Sequence, residues 1–441
     1  MIRHDMPESS RAINRLVSRL RANKIHEEVS MSDTVIHLDR AAKSRASGKD
    51  IHDYEAMLER ARALVPTLKA RAAETEQLRR LPVQTEQDLH EAGLFRILQP
   101  KRVGGSEFDY VGLIDFAAAL AHGDPAVAWN VANLGSHHWM LGMFPKAAQD
   151  LLWNDNPDVL IASSFVFPSG KAKKVKGGYE LSGRWPFSSG VNPSTWNMLA
   201  GIVTPDDDAD APEMRIFLVP ESAYETLDNW NAMGLAGTGS HDVIIGSTFV
   251  PDDMTLAVSA IAGGPTPGSA VNPGALYQLP VFALFAFVLT GIALGNAEVC
   301  LENYLTSSRN RASQYNRAKL SDFQSTQIKI ASAAARIDTG RDIMRSICIN
   351  AMEDCRKGII PDLLTKTRYR RDGAFSVNLC TEAVSILFSA SGAGGLSRLL
   401  PMEKQFRDAH AVNAHIAFNF DVAGSNFGRV ALGLPSENPT L

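Results

Sequence analysis

The feature that most restricts this chain is a change of periodicity in its middle. Between Pro157 and Ala260 lie short β-branched or aromatic runs: Val159–Phe167, Tyr179–Ser182, Trp196–Val203, Met214–Val219 and Val243–Val250. Clusters of Gly, Pro and Asp separate them, including the acidic loop Asp206–Glu213. Such runs read as strands, and together they describe a compact β-domain of about a hundred residues. On either side the apolar spacing returns to three and four, so the chain reads as α, then β, then α.

In the first helical part, Met57, Ala61, Leu64 and Leu68 mark one face, Pro82 opens a second helix ending at Gly93, and Leu94–Gln99 reads as extended. Asp109–His122 and Ala126–Met143 read as helices, the second carrying Ser136, His137, His138 and Trp139. Past the β-region, helices are expected at Pro280–Ser308, Asp322–Met352, Asp372–Ala390 and Pro401–Asn419. The expected organisation is a flexible extension (1–50), an N-terminal helical domain (51–156), a middle β-domain (157–260), a linker or lid (261–279) and a C-terminal helical bundle (280–441).

Charge and cysteine content exclude several classes. Lys+Arg 44 against Asp+Glu 48 gives a net charge of −4, which makes no case for nucleic acid. Cys300, Cys348, Cys355 and Cys380 form no CxxC pair and read as reduced core thiols. Leu279–Leu294 is apolar but shorter than the roughly 20 residues that span a bilayer, so a buried helix and no membrane association are expected. Residues 1–30 read as a basic, weakly helical or disordered extension without an apolar signal core, Met31 is a plausible alternative start, and the expected location is cytoplasmic.

Several stretches carry chemistry-bearing residues. Leu181–Gly190, LSGRWPFSSG, combines a Ser182-Gly183 turn, Trp185 and Phe187, the pair Ser188-Ser189, and Gly190. It reads as a β-hairpin corner. Its glycine also admits a flat ligand, its aromatics can stack on one, and its hydroxyls can bond the ligand's edge. Arg309, Arg311 and Lys319, with Tyr315 among them, fit a solvated basic helix end, or a phosphate. Gly392, Gly394 and Gly395 fit a helix C-cap better than a phosphate loop, since no strand precedes them. His137 and His138 are adjacent, so on a helix they diverge by about 100° and no metal site is expected. A histidine facing a cleft, with Ser163, could hold a substrate hydroxyl. His410 and His415 read as belonging to the last helix, with His415 and Asn419 on one face.

The motifs LHEAGLFRILQPKRVGG (89–105), LSGRWPFSSG, NAMGLAGTGSHDV (231–243), SSRNRASQYN (307–316), SGAGG (391–395) and QFRDAHAVNAH (405–415) resemble the acyl-CoA dehydrogenase superfamily from about Tyr54 onward. The resemblance implies a mainly α fold with a central β-domain: helical domain, β-barrel-like domain and four-helix bundle, assembled as a homotetramer. The position of the dehydrogenases' catalytic glutamate falls on Ile416, with Glu298 and Glu302 as possible substitutes. The chain is more similar to the two-component flavin-dependent aromatic monooxygenases of this fold, such as the 4-hydroxyphenylacetate 3-hydroxylase oxygenase components. That similarity implies reduced FMN (or FADH2) from a separate NAD(P)H:flavin reductase, O2 as co-substrate, a C4a-hydroperoxyflavin, and a small aromatic substrate. By the same resemblance His137 and Ser163 bind substrate, Ser189 lies beside flavin N5, His415 lies near C4a, and Arg311 and Tyr315 lie near the phosphate. Trp185, Ser188, Gly392 and Gly394 join the expected cofactor site, and Phe282 and Asn419 the substrate site. Two departures bear on substrate: Asn419 stands where steroid-phenol hydroxylases have aspartate, and Phe282 where the hydroxyphenylacetate enzyme has arginine. An indolic acid therefore competes with a phenolic acid. An FAD-dependent acyl-CoA dehydrogenase, an inactive flavin-binding relative, and sulfur or nitrogen oxygenation are the remaining readings.

Overall fold

Capping residues and prolines set the starts of the first helices. The computed structural model describes residues 51–205, 212–312 and 317–441. The expected extension 1–50, most of the acidic loop, and Tyr315 lie outside these residues. Asp53 Oδ1 accepts from the Ala56 N–H and opens α1, Tyr54–Leu78; Pro82 precedes α2, Val83–Glu91. The expected extended segment Leu94–Gln99 instead opens with a 3-10 turn, Leu94–Arg96, and a second, Lys101–Val103, follows Pro100. Helices α3 (Gly112–Ala121), α4 (Pro125–Leu141) and α5 (Lys146–Trp153) complete this part. Asp124 caps α4, with Pro125 in the first turn, and every residue of α4 is buried.

The strands are β1 (Ile161–Ser164), β2 (Gly170–Val175), β3 (Gly178–Ser188), β4 (Trp196–Thr204), β5 (Glu213–Pro220), β6 (Glu225–Leu227), β7 (His241–Pro251) and β8 (Thr255–Ala257). They form one sheet in the order β6-β7-β3-β2-β4-β5-β8, with β1 parallel to β4. LSGRWPFSSG is not a hairpin corner. It runs within and just past β3, with register shifts at Leu181/Gly183 and Trp185/Ser188, which bend the strand instead of reversing it. Strand β2 escapes the sequence reading because three of its six residues are lysines, whose exposed positions hide the alternation.

The C-terminal part holds α6 (Val281–Leu284), α7 (Phe287–Asn310), α8 (Gln324–Arg356), α9 (Leu363–Ser391), α10 (Pro401–Asn413) and α11 (Phe420–Ala431). The expected single helix Pro280–Ser308 is interrupted at Phe285–Ala286, where the N–H groups of Val288 and Leu289 bond carbonyls three residues back. Val281–Arg309 is long and apolar enough to cross a membrane by composition, yet 83% of its most apolar window is buried inside the protein. Gly295 lets α7 lie against α3, for a Cβ there would stand 2.1 Å from the Ala118 carbonyl oxygen. The expected helix Pro401–Asn419 ends at Asn413. His415 and Asn419 therefore do not share a helical face.

Candidate active site

The site is organised along one face of α4, where Trp129, Asn133 and His137 recur at intervals of four. Trp129 meets the His415 ring edge-on at 5.6 Å. Asn133 Nδ2 donates to the Ser189 carbonyl at 3.2 Å. His137 Nδ1 lies 2.5 Å from the Ile161 carbonyl, at the start of β1. One rod thus touches three segments distant in sequence.

The Ile161 bond fixes the tautomer of His137. A carbonyl only accepts, so Nδ1 carries the proton and Nε2 is left as an acceptor, buried and without a partner among the described residues. Burial pushes the pKa of His137 down to about 4, so the ring is neutral at ordinary pH. His138 points elsewhere: its Nδ1 accepts from the Trp153 indole N–H at 3.1 Å. Ser163 forms an isolated antiparallel bridge with Ser189, which brings the serine expected on the substrate side to the serine expected beside flavin.

Ser189 follows β3 at a strained turn: Phe187, with φ 62°, occupies the left-handed region. Beyond it Gly190 has φ +72°, and a Cβ there would lie 2.9 Å from Asn130 Oδ1. The Ser189 hydroxyl lies 2.7 Å from Ser240 Oγ, which is 2.7 Å from Thr238 Oγ1, and Thr238 donates to the Leu235 carbonyl at 2.9 Å. Each hydroxyl has one proton. Thr238 gives its proton to Leu235, so Ser240 donates to Thr238 and Ser189 to Ser240. Ser189 Oγ is left with its lone pairs toward the site. The relay is anchored at its far end, where Leu235 N–H donates to Asp408 Oδ1 of α10 at 2.8 Å.

His415 has the opposite tautomer. It caps the 3-10 turn Ile416–Phe418, its Nδ1 accepting from the Ala417 N–H at 3.2 Å, so the proton of the neutral ring resides on Nε2. Burial first, and then the Arg370 charge, lower its pKa to about 4. Asn419, expected beside it, is exposed and caps α11 through the Val422 N–H.

The remaining expected residues fall in three places. Trp185 is fully buried within the sheet, its indole donating to the Ala200 carbonyl at 2.6 Å, which corrects the expectation that its ring stacks on a ligand. Ser188, also buried, accepts from Asn197 Nδ2. Arg311 and the glycine turn come together: Arg311 Nη1 donates to the Ser391 carbonyl at 2.9 Å, and a Cβ on Gly394 would lie 3.6 Å from its guanidinium. Gly392, at φ +61°, ends α9 in the manner of a C-cap. Phe282 joins a ring wall. Phe165 lies 6.1 Å from His137, and Phe282 lies 5.8 Å from Phe165, 5.6 Å from Phe167 and 6.2 Å from Phe285. Trp129, Asn133, Thr238, Ser240, Phe165 and Arg370 escape the sequence reading. The W-x3-N-x3-H spacing in α4 is a signal that could have found the first two.

Three comparisons define the class. Residues 52–150 match the acyl-CoA dehydrogenase N-terminal domain model and residues 287–420 the acyl-CoA dehydrogenase C-terminal domain model. The 3-HSA hydroxylase crystal structure from Rhodococcus sp. RHA1 superposes with a TM-score of 0.83 at 30% identity, covering 88% of this chain and 100% of that one. The oxygenase component of the FADH(2)-dependent resorcinol hydroxylase of Rhizobium sp. (strain MTP-10005) is 31% identical, covering 83% of this chain and 91% of that one. The oxygenase subunit HsaA of a flavin-dependent monooxygenase from Rhodococcus jostii (strain RHA1) is also 31% identical, over 86% of this chain and 98% of that one. The chain belongs to this family, the flavin-dependent monooxygenase oxygenase components built on the acyl-CoA dehydrogenase fold. Its cofactor is reduced flavin, and the site suits one: an acceptor at Ser189, a donor at His415 and a buried indole N–H at Trp129 without a partner among the described residues are all held by α4. Of the two candidate bases for the dehydrogenase reading, Glu302 is an exposed carboxylate 3.9 Å from His122, and Glu298 is already engaged. Burial works to raise the pKa of Glu298, but its bonds to His122 at 3.0 Å and Arg341 at 2.8 Å outweigh that and hold it below its ordinary value.

Proposed function

We propose that this chain hydroxylates a small phenolic or indolic compound, using reduced FMN supplied by a separate NAD(P)H:flavin reductase. The observation that carries the reading is the pair of opposed histidine tautomers at the two ends of one α4 face, acceptor at His137 on the helix and donor at His415 packed against Trp129. Reduced flavin supplies the electrons that activate dioxygen. Ser189, its own proton committed to Ser240, accepts the N–H at flavin N5. His415 Nε2–H donates a hydrogen bond to negative charge developing on the oxygen side. His137 Nε2 accepts from a phenol O–H or indole N–H, with Ser163 alongside, and so orients the ring and enriches its electron density. Phe165, Phe282 and Phe285 exclude water from that end. FADH2 is the second donor to consider, because one relative is named for it. Arg311 and Tyr315 take the flavin phosphate on this reading, and the exposed Leu399, Ile416, Val422 and Leu432 are covered by subunit contacts in a homotetramer.

The test is rapid mixing of the protein, charged anaerobically with reduced FMN or FAD, with oxygenated buffer. A long-lived transient absorbance distinct from oxidised flavin, shortened by phenolic or indolic compounds with formation of hydroxylated product, is the expected result. Immediate reoxidation at the rate of free flavin would sink the proposal.

A further inference from the structure

The ring wall beside His137 ends at a cation that the proposed mechanism does not use. Arg370, on α9, faces the interruption between α6 and α7, and its Nη1 donates to the Phe282 carbonyl at 3.0 Å. The interruption explains this bond, because a carbonyl in a broken turn needs a donor from outside the helix. Nothing else among the described residues holds the guanidinium. It has no carboxylate partner, and its other nitrogens are neither bonded nor sealed away from accessible space. Burial lowers its pKa with no acid near enough to offset that cost, while its charge reaches the His415 ring. A guanidinium held this way presents a planar fork of free donors, which matches a carboxylate in geometry and charge.

We infer that Arg370 receives the carboxylate of an aromatic acid, making it the residue that sets substrate class. The pocket then reads its ligand at both ends. A ring O–H or N–H is donated to His137 Nε2, the ring lies against Phe165 and Phe282, and the acid arm lies on Arg370. This rests on the aromatic-oxygenase reading above and narrows it to acids.

The experiment titrates the protein charged anaerobically with reduced FMN, by calorimetry, with two matched pairs: 4-hydroxyphenylacetate against 4-ethylphenol, and indole-3-acetate against 3-methylindole. In the unaltered protein at least one acid binds about tenfold or more tightly than its neutral counterpart. Arg370→Gln weakens that acid by roughly 10- to 100-fold, the range for a hydrogen bond between charged groups, and leaves the neutral compound nearly unchanged. Arg370→Lys, which keeps the charge and a donor for Phe282, restores part of the acid binding. Equal losses for acid and neutral compound, as a helix-capping or flavin-directed arginine would give, overturn the inference. So does acid affinity that Arg370→Gln leaves intact. Failure of the oxygenase reading is seen separately, as reoxidation of flavin in the unaltered protein without any transient.

Discussion

Three hydroxyls and two histidines decide what this site can accept and donate, and each has a single proton to place. In the relay Ser189–Ser240–Thr238, removing the middle oxygen frees the Ser189 proton to turn toward the ligand. Ser240→Ala is therefore expected to shorten the oxygen-dependent transient by roughly tenfold, about one lost hydrogen bond, while reduced-flavin affinity changes little; stopped-flow decay rates check this. The two fully buried histidines give a pH prediction with a definite sign. The pKa values of His137 and His138 fall from 6.5 to about 4 and about 3, so the unfolded chain binds protons that the folded chain refuses. Stability from these groups is complete above pH 6.5 and is lost as pH falls toward 4 and then 3, by at most about 3–5 kcal/mol each. Melting temperature against pH should drop over that window, and the drop should be smaller in His138→Asn. Neither tautomer was legible in the sequence, because each depends on a backbone partner, Ile161 or Ala417, that only the fold supplies.

At the scale of elements, the charged link between α4 and α10 decides whether the relay's anchor stays in place. Lys404 Nζ lies 3.3 Å from Asp124, the cap of α4, and 2.6 Å from Asp408, which holds Leu235. Burial raises the pKa of Asp124, and the lysine is what opposes it. Lys404→Met leaves two buried carboxylates facing one another and should cost about 3–5 kcal/mol, read from urea unfolding. Element order and most strands were legible because periodicity switches sharply at Pro157. The C-terminal end of α10 and the α6–α7 break were not: neither place carries a glycine or proline, and Ala414 closes α10 in ordinary right-handed geometry. Arg370 was hidden for a related reason. It lies in the run Arg368-Tyr369-Arg370-Arg371-Asp372, which reads as a solvated face until the packing of α9 turns one member inward.

On the scale of the whole molecule, close contact between α3 and α7 joins the first helices to the bundle. Gly295→Val would drive a branched side chain into the Ala118 carbonyl and should lower the melting temperature and deplete soluble protein, by several kcal/mol of stability. Addition of an acyl-CoA to the oxidised FAD-loaded protein should leave its visible spectrum unchanged, since Glu298 is already bonded to His122 and Arg341. On the proposed reading the two ends of the substrate pocket sit on different supports, for His137 shares α4 with the contacts that hold Ser189 and His415, and the acid end does not. Ser189 and His415 are gauged by α4, whereas Phe282 and Arg370 belong to the α6–α7 interruption and α9. A lineage could therefore retune its diet by editing one joint in the bundle and leave the oxidising apparatus as it was, much as an instrument changes its reading head without being recalibrated.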